Sequence, residues 1–98
     1  MARLTESEIT QLLEKMSGWE RIGEALEGIF GFAGFADAVT FVVRVGFEAE
    51  AADHHPDIRI NYKRVTLTYS THSESGLTAK DFAGARAASA IAAAISSR

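Results

Sequence analysis

Two neighbouring runs of alternating residues constrain the fold of this chain more than any other feature. In residues 58–62 apolar and polar side chains alternate, with Tyr62 as the last apolar member, and residues 65–70 repeat the pattern from Val65 to Tyr69. Successive side chains of a strand point to opposite faces, so each run predicts a strand with one apolar face. The apolar face of such a strand pair has to be covered, which predicts helices elsewhere in the chain.

The chain before residue 32 predicts one helix followed by two strands. Thr5 and Glu8 have the spacing of a capping box, so a helix should begin there, with Gly18 stopping it. Its buried face is predicted from the helical spacing of Ile9, Leu12, Leu13 and Met16. Two short strands, at residues 19–22 and 25–30, should then pair across a turn at Gly23-Glu24.

Residues 37–52 predict a second helix. The segment is rich in β-branched residues, which makes a strand the rival interpretation, but its length and the good helix formers at 48–52 favour the helix. Pro56 should close the segment, because it forces His55 towards extended backbone. The buried side is predicted to carry the residues Val39, Val42, Val43, Gly46 and Phe47.

A third helix should follow Thr78, the candidate capping residue. Its apolar stripe is predicted to consist of Phe82, Ala85, Ala88, Ile91 and Ile95. The element order is then α-β-β-α-β-β-α. This order predicts an α+β fold in which three helices pack on one face of a four-stranded antiparallel sheet, as a single domain over residues 1–98.

Composition excludes several classes of protein. The chain has no cysteine, so it can form no disulfide and no thiolate metal site, which fits a reducing compartment. A net charge of -3 without a Lys/Arg cluster argues against binding nucleic acid. The sequence contains neither a signal peptide nor an apolar run long enough to cross a membrane, so we expect a soluble, cytoplasmic protein.

The three histidines are the candidate chemistry. His54, His55 and His72 fall within nineteen residues, and His72 should lie at the end of its strand, within reach of the other two. Imidazoles exchange protons near neutral pH, which is worth roughly 100- to 10,000-fold in rate. On a continuing helical turn Glu50 would fix the tautomer of His54, with Asp53 as a second candidate for that role.

Two other interpretations of the histidines stay open. Each one could be a surface residue or a satisfied structural group. Three histidines and a water could also form a catalytic zinc site, although the adjacency of His54 and His55 is awkward, because neighbouring residues of extended chain point to opposite sides.

The spacing of Glu50, His54-His55-Pro56, Tyr62, His72 and Asp81 resembles the signature of the pterin-4a-carbinolamine dehydratases. The resemblance implies dehydration of a 4a-hydroxytetrahydropterin to the quinonoid dihydropterin, without a metal or other cofactor. It also implies a homodimer or homotetramer, and as pathway partner an aromatic amino-acid hydroxylase. Exposed strand edges and the apolar second helix favour an oligomer independently.

By the same resemblance the three histidines surround the pterin. His55 would be the main acid/base, while His54 and His72 would bind the ring and assist proton transfer. Glu50 would orient an imidazole.

Trp19 would line the pocket mouth by resemblance, whereas on its own evidence it is a core residue. Pro56 and Asp81 are interpreted as framework, Pro56 holding the backbone of the histidine pair and Asp81 capping the third helix. Lys80 is assigned to substrate binding, but animal members of the family often carry arginine there, and lysine cannot make the bidentate contact of a guanidinium. Ile58 stands where the family often has tryptophan.

Two rival functions accompany the dehydratase. Animal members of the family also act as dimerisation cofactors of a homeodomain transcription factor, so the fold could serve as a non-catalytic binding module. The weaker rival is a metal-dependent hydrolase built on the three histidines.

Overall fold

The computed structural model describes residues 2–96, and its elements follow the predicted order. The helices are α1 (Glu6–Glu14), α2 (Phe35–Ala52) and α3 (Ala79–Ser96), and the strands are β1 (Trp19–Ile22), β2 (Ala25–Gly31), β3 (Asp57–Asn61) and β4 (Arg64–Tyr69). A 3₁₀ helix, His72–Glu74, connects β4 to α3. None of the three helices in this part of the chain is long and apolar enough to span a membrane.

The four strands form one antiparallel sheet in the order β1-β2-β4-β3. The predicted turn at Gly23-Glu24 joins β1 to β2, and Gly23 takes the left-handed φ of 60° that glycine adopts without a steric penalty. The two inner strands pair from Leu26, opposite Tyr69, to Gly31, opposite Arg64, and both Leu26 and Tyr69 are almost completely buried beneath the helices. The α+β prediction is confirmed.

The starts of α1 and α3 form as their local sequence predicts, but α1 ends at Glu14, earlier than the predicted stop at Gly18, and α2 begins at Phe35, two residues before the predicted start. Thr5 and Glu8 exchange side-chain-to-backbone hydrogen bonds at the start of α1, which is the predicted capping box. Ile9 is buried in the core. The predicted stripe of α3 also packs inward, with Ile91 partly buried and its other members fully buried.

The predicted buried face of α2 is wrong. Val39, Val43 and Phe47 point to solvent, and Phe47 is 75% exposed. The sheet is instead covered by Ala38, Phe41, Val45 and Ala49. The helix is apolar on nearly every side, so periodicity alone does not decide which face packs. Small residues on the buried face allow α2 to approach the sheet closely. The centroid of the Phe41 ring lies 4.9 Å from that of Phe30 and 5.0 Å from that of Phe32.

The apolar alternation of β3 also ends earlier than predicted. Tyr62 lies in the two-residue turn to β4 with a φ of 53°, and its side chain is 65% exposed. Ile58 and Ile60 face the same side of the sheet as Leu67 and Val65, their partners in β4. Each is still 39% exposed, because β3 is an edge strand and the helices cover only part of it.

Candidate functional site

Two connections carry the three histidines. The connection from α2 to β3 carries His54 and His55, and the connection from β4 to α3 carries His72. Helix α2 ends at Ala52, and Asp53 adopts a left-handed conformation with a φ of 51°. The amide of His54 then bonds back to the carbonyl of Ala49, which satisfies an end carbonyl of the helix. The chain continues through His55 and Pro56 into β3.

His54 is held by a buried carboxylate. Its Nε2 lies 2.6 Å from Oδ1 of Asp81, whose side chain is fully buried. The other carboxylate oxygen accepts from Thr71 Oγ1 at 2.7 Å and from the backbone amide of Thr78 at 2.9 Å. Since a carboxylate can only accept, these bonds assign the proton to Nε2 of His54 and leave Nδ1 for chemistry.

Asp81 therefore has two functions. Its carboxylate accepts from the backbone amide of Thr78, as the N3 side chain of a capping box accepts from the N-cap residue. The predicted capping role of Asp81 at the start of α3 therefore agrees with the geometry. Its contact with His54 joins residues 27 positions apart, and no local pattern in the sequence signals it.

The ring of His54 lies against Tyr69. Their centroids are 6.1 Å apart with the planes 20° from parallel. Tyr69 packs in turn on Gly84 of α3, where an added Cβ would lie only 2.5 Å from Cε1 of the tyrosine. Burial, assisted by the charge of Glu48, raises the pKa of the Tyr69 hydroxyl above its usual range, so the phenol stays neutral.

Glu50 contacts a different histidine from the one expected. Its carboxylate lies 2.7 Å from Nε2 of His55, and both side chains are more than half exposed. The expectation that Glu50 or Asp53 fixes His54 is corrected, because Asp81 does so. The reason is that the helical spacing from Glu50 to His54 is interrupted by the left-handed turn at Asp53.

His72 opens the 3₁₀ helix after β4 and lies in a surface cavity of about 420 Å³. Its Nε2 is 3.3 Å from the hydroxyl of Ser70. The cavity is lined by Glu24, Ala25, Ser70, Thr71, His72, Ser75 and Gly76. The sequence predicted only a turn at Glu24, and the motif spacing gave no reason to expect its carboxylate in this cavity.

The strand register relates the three histidines. Asp57 lies opposite Thr68, so the chain two residues earlier, at His55, approaches the end of β4 where Ser70 bonds His72. His54 is linked to the same place through Asp81 and Thr71, the residue preceding His72. Within residues 2–96 the structure contains no group of three or more carboxylates and imidazoles arranged to hold a metal ion.

The remaining predicted site residues lie around this region. Trp19 is part of the core, where its indole donates to Ser89 Oγ at 2.8 Å and its ring meets Phe30. Lys80 is exposed in the first turn of α3, next to Asp81. Pro56 is half-buried between the histidine pair and β3.

Comparison with known proteins identifies the relatives of this chain. Residues 2–91 match the family model described as Pterin 4 alpha carbinolamine dehydratase. A provisionally named pterin-4-alpha-carbinolamine dehydratase of Thermomicrobium roseum is 49% identical over 86 residues, which is 88% of this chain and 92% of the relative. A protein of the same provisional name from Roseiflexus sp. (strain RS-1) is 48% identical over 80 residues, covering 82% and 86% of the two chains.

Two solved structures have the same fold. The transcriptional coactivator/pterin dehydratase from Brucella melitensis superposes with a TM-score of 0.89 at 41% identity, over 92% of this chain and 98% of that one. A pterin dehydratase-like protein described as a RuBisCO assembly factor in the alpha-carboxysome gives 0.64 at 21% identity, over 76% and 86%, and supports the fold alone. The chain therefore belongs to the pterin 4 alpha carbinolamine dehydratase family.

Proposed function

We propose that the protein is a hydro-lyase that dehydrates a 4a-hydroxytetrahydropterin to the quinonoid dihydropterin. The observation that carries this proposal is that Asp81 accepts from both His54 and Thr71, the residue before His72, so the segments that carry the histidines meet at one end of the sheet. Family membership supports the same reaction. A pterin-dependent hydroxylation of an aromatic amino acid would supply the substrate, and the cytoplasm, which suits a chain without cysteine, is the proposed location.

The elimination breaks the bond between C4a and the hydroxyl oxygen and removes a proton from N5. One group has to protonate the leaving hydroxyl, and another has to accept the N5 proton, so that water leaves and a C4a=N5 double bond forms. Histidine is suited to both steps near neutral pH, and positioned proton transfer contributes roughly 100- to 10,000-fold in rate.

We assign the protonation of the leaving hydroxyl to His55. Glu50 accepts from its Nε2, so Nδ1 is the nitrogen available to the substrate, and the ring acts as an acid in its imidazolium form, giving up the Nδ1 proton and becoming neutral. His54 and His72 bind the ring and assist proton transfer. The bond from His54 to Asp81 fixes which of its nitrogens can take part.

His55→Ala tests the assignment. We expect dehydration by the purified variant to fall by roughly 100-fold or more, while its unfolding midpoint stays near that of the wild type because the ring is 54% exposed. Asn61→Ala, at the exposed far end of β3, is the control. Turnover at the wild-type rate in His55→Ala would remove His55 from the mechanism.

We also propose that the protein is a homo-oligomer and that a second copy covers the exposed face of α2. The apolar set Phe35, Val39, Val43 and Phe47 repeats every four residues along this face. An antiparallel second copy would place Phe35 against Phe47 and Val39 against Val43, because both pairs have the same midpoint. A surface that complements itself in this way is what two-fold symmetry requires.

A non-catalytic binding module of the same fold is the second candidate function. The exposed apolar face of α2 favours it, and so does the Brucella melitensis structure, whose name includes a coactivator role. A direct assay separates the two functions. A dehydratase accelerates dehydration when purified alone, whereas a binding module changes only the oligomeric state of a partner.

A further inference from the structure

The β1–β2 turn delivers a carboxylate to the cavity that contains His72. Leu26 lies opposite Tyr69, so the residues just before β2 lie beside the residues just after β4. Glu24 consequently lines the same cavity as Ser70 and His72. It lies outside the spacing motif of Glu50, the histidines and Asp81, and the dehydration proposed above assigns it no role.

The surroundings of Glu24 leave its carboxylate available to a ligand. Arg21 donates to Glu6 at 2.6 and 3.0 Å and to the Gly23 carbonyl at 2.9 Å, but its distance to Glu24 Oε1 is 3.4 Å. The short contacts of the guanidinium are thus made elsewhere, and an exposed pair at 3.4 Å contributes little to stability.

The second oxygen of Glu24 lies over a glycine. A Cβ at Gly76 would be 2.9 Å from Glu24 Oε2 and closer still to Cδ and Cγ of Arg3, so the absence of a side chain at this position leaves room for both the carboxylate and the aliphatic part of Arg3. Gly76 is buried and lines the same cavity. The cavity therefore has a hydrogen-bond acceptor on the Glu24 side and an acid/base imidazole on the His72 side.

The proposed substrate has matching chemistry. The pyrimidine ring of a tetrahydropterin presents two adjacent donors, the 2-amino group and N3–H, and C2 lies across that ring from C4a. A carboxylate accepts such a donor pair in a bidentate manner. A cavity of about 420 Å³ is within the size range of small-molecule sites.

We propose that Glu24 is a substrate-binding residue whose carboxylate accepts hydrogen bonds from the 2-amino group and N3–H of the pterin. This inference rests on the proposed function, because it takes the ligand to be a pterin with C4a directed towards the histidines. Glu24 fixes the orientation of the ring and takes no part in proton transfer.

Glu24→Gln tests the proposal, because it keeps the shape of the side chain but replaces one acceptor by a donor. The dissociation constant is measured by equilibrium dialysis with two unreactive probes, tetrahydropterin and its analogue lacking the 2-amino group. For tetrahydropterin we expect a rise of about 10- to 100-fold, which corresponds to the loss of a charge-assisted hydrogen bond. For the analogue, which lacks one of the two donors, the expected rise is several-fold smaller.

Two further variants separate binding from folding. Glu20→Gln changes an exposed carboxylate of the same hairpin, outside the cavity, and should leave both dissociation constants unchanged. Glu24→Asp keeps both acceptor oxygens and should recover part of the affinity lost in Glu24→Gln. In turnover, Glu24→Gln should raise KM with kcat within about 3-fold and the pH profile unmoved, as expected for a residue that binds without transferring protons.

The outcomes distinguish this inference from the proposed function. If the wild type binds tetrahydropterin and dehydrates the 4a-hydroxy substrate, but Glu24→Gln binds tetrahydropterin equally well, the role of Glu24 is refuted and the dehydratase stands. An equal loss of affinity for both probes also refutes it, because the effect would then be independent of the 2-amino group. If the wild type neither binds tetrahydropterin nor accelerates dehydration, both proposals fail.

Discussion

At the scale of single residues, Asp81 connects the fold to the candidate site. One oxygen of its buried carboxylate takes the bond from His54, and the other takes bonds from Thr71 and from the Thr78 amide. A buried acceptor with three donors is fully satisfied, whereas removing it would leave several buried donors without a partner. The residue therefore stabilises the start of α3 and fixes the tautomer of His54 at the same time.

Asp81→Asn should disturb both functions. The amide group offers one acceptor oxygen for three donors, so we expect the free energy of unfolding to fall by about 1–3 kcal/mol. Urea denaturation measures this loss, and the nitrogen chemical shifts of His54 report its tautomer. Asp57→Asn, at an exposed acid of β3, is the control and should change neither. Unchanged His54 shifts in Asp81→Asn would contradict the positioning role.

Tyr69 predicts a loss of stability at alkaline pH. Its pKa is raised in the folded protein by burial and by Glu48, so above the unfolded value of about 10 the unfolded chain releases a proton that the folded protein keeps. The contribution of Tyr69 is fully present below pH ~10 and declines as the pH rises further. Stability curves of wild type and Tyr69→Phe should run parallel below that pH, and above it the wild type should lose stability relative to the variant. Parallel curves throughout would show that the hydroxyl does not titrate differently on folding.

At the scale of elements, the packing of α3 on β4 positions the Tyr69 ring, which contacts His54. Gly84 lets the helix approach the Tyr69 ring, and Tyr69 carries His54 on its face. Gly84 and Tyr69 are both buried, so the side chains packed around them have little freedom to adjust. The alanine content of the helix allows this close approach along much of its length.

Gly84→Ala should displace Tyr69 or the helix. The new Cβ would lie 2.5 Å from the ring, and overpacking of this kind costs about 1–3 kcal/mol. Thermal unfolding measures the loss, and dehydration activity should fall with it because His54 loses its support. Ala83→Ser, at the exposed neighbouring position, should stay within about 0.5 kcal/mol of the wild type. A stability gain in Gly84→Ala would mean that helix propensity outweighs the steric conflict.

At the scale of the whole molecule, the exposed face of α2 is the feature that the fold of one chain leaves unexplained. Its valines and phenylalanines are between 39% and 75% exposed, and a contiguous apolar surface of this kind is typical of an interface. The arrangement follows from an apolar helix that can bury only one side on a sheet.

Val43→Glu should dissociate the proposed oligomer. Val43 is half exposed in a single chain, so the charge should spare the fold but place a carboxylate in the centre of the interface. Sedimentation velocity at micromolar concentration should give an oligomer for the wild type and a monomer for the variant. Ala52→Glu adds the same charge at an exposed position of α2 on another side of the helix and should remain oligomeric. Equal masses for wild type and Val43→Glu would exclude this face as the interface.

The elements of this fold were determined by local sequence. Alternation at residues 58–61 and 65–69 produced the strands, and the Thr5–Glu8 pair and Thr78 began helices, because strand faces and helix caps depend on residues a few positions apart. The spacing around the histidines also identifies the family. Strands and caps can be predicted because their residues lie within a few positions of one another. The family can be predicted because the spacing of its motif residues is visible in the sequence.

The pairings across the chain were decided by tertiary structure alone. Asp81 holds His54, the packing of α2 selected a different face from the predicted one, and Glu24 reached the cavity of His72. Partners far apart in sequence meet only where the sheet and helices bring them together, and an apolar helix has several faces that could pack. The physical reason is that periodicity describes one element, whereas these contacts depend on how elements are placed against one another.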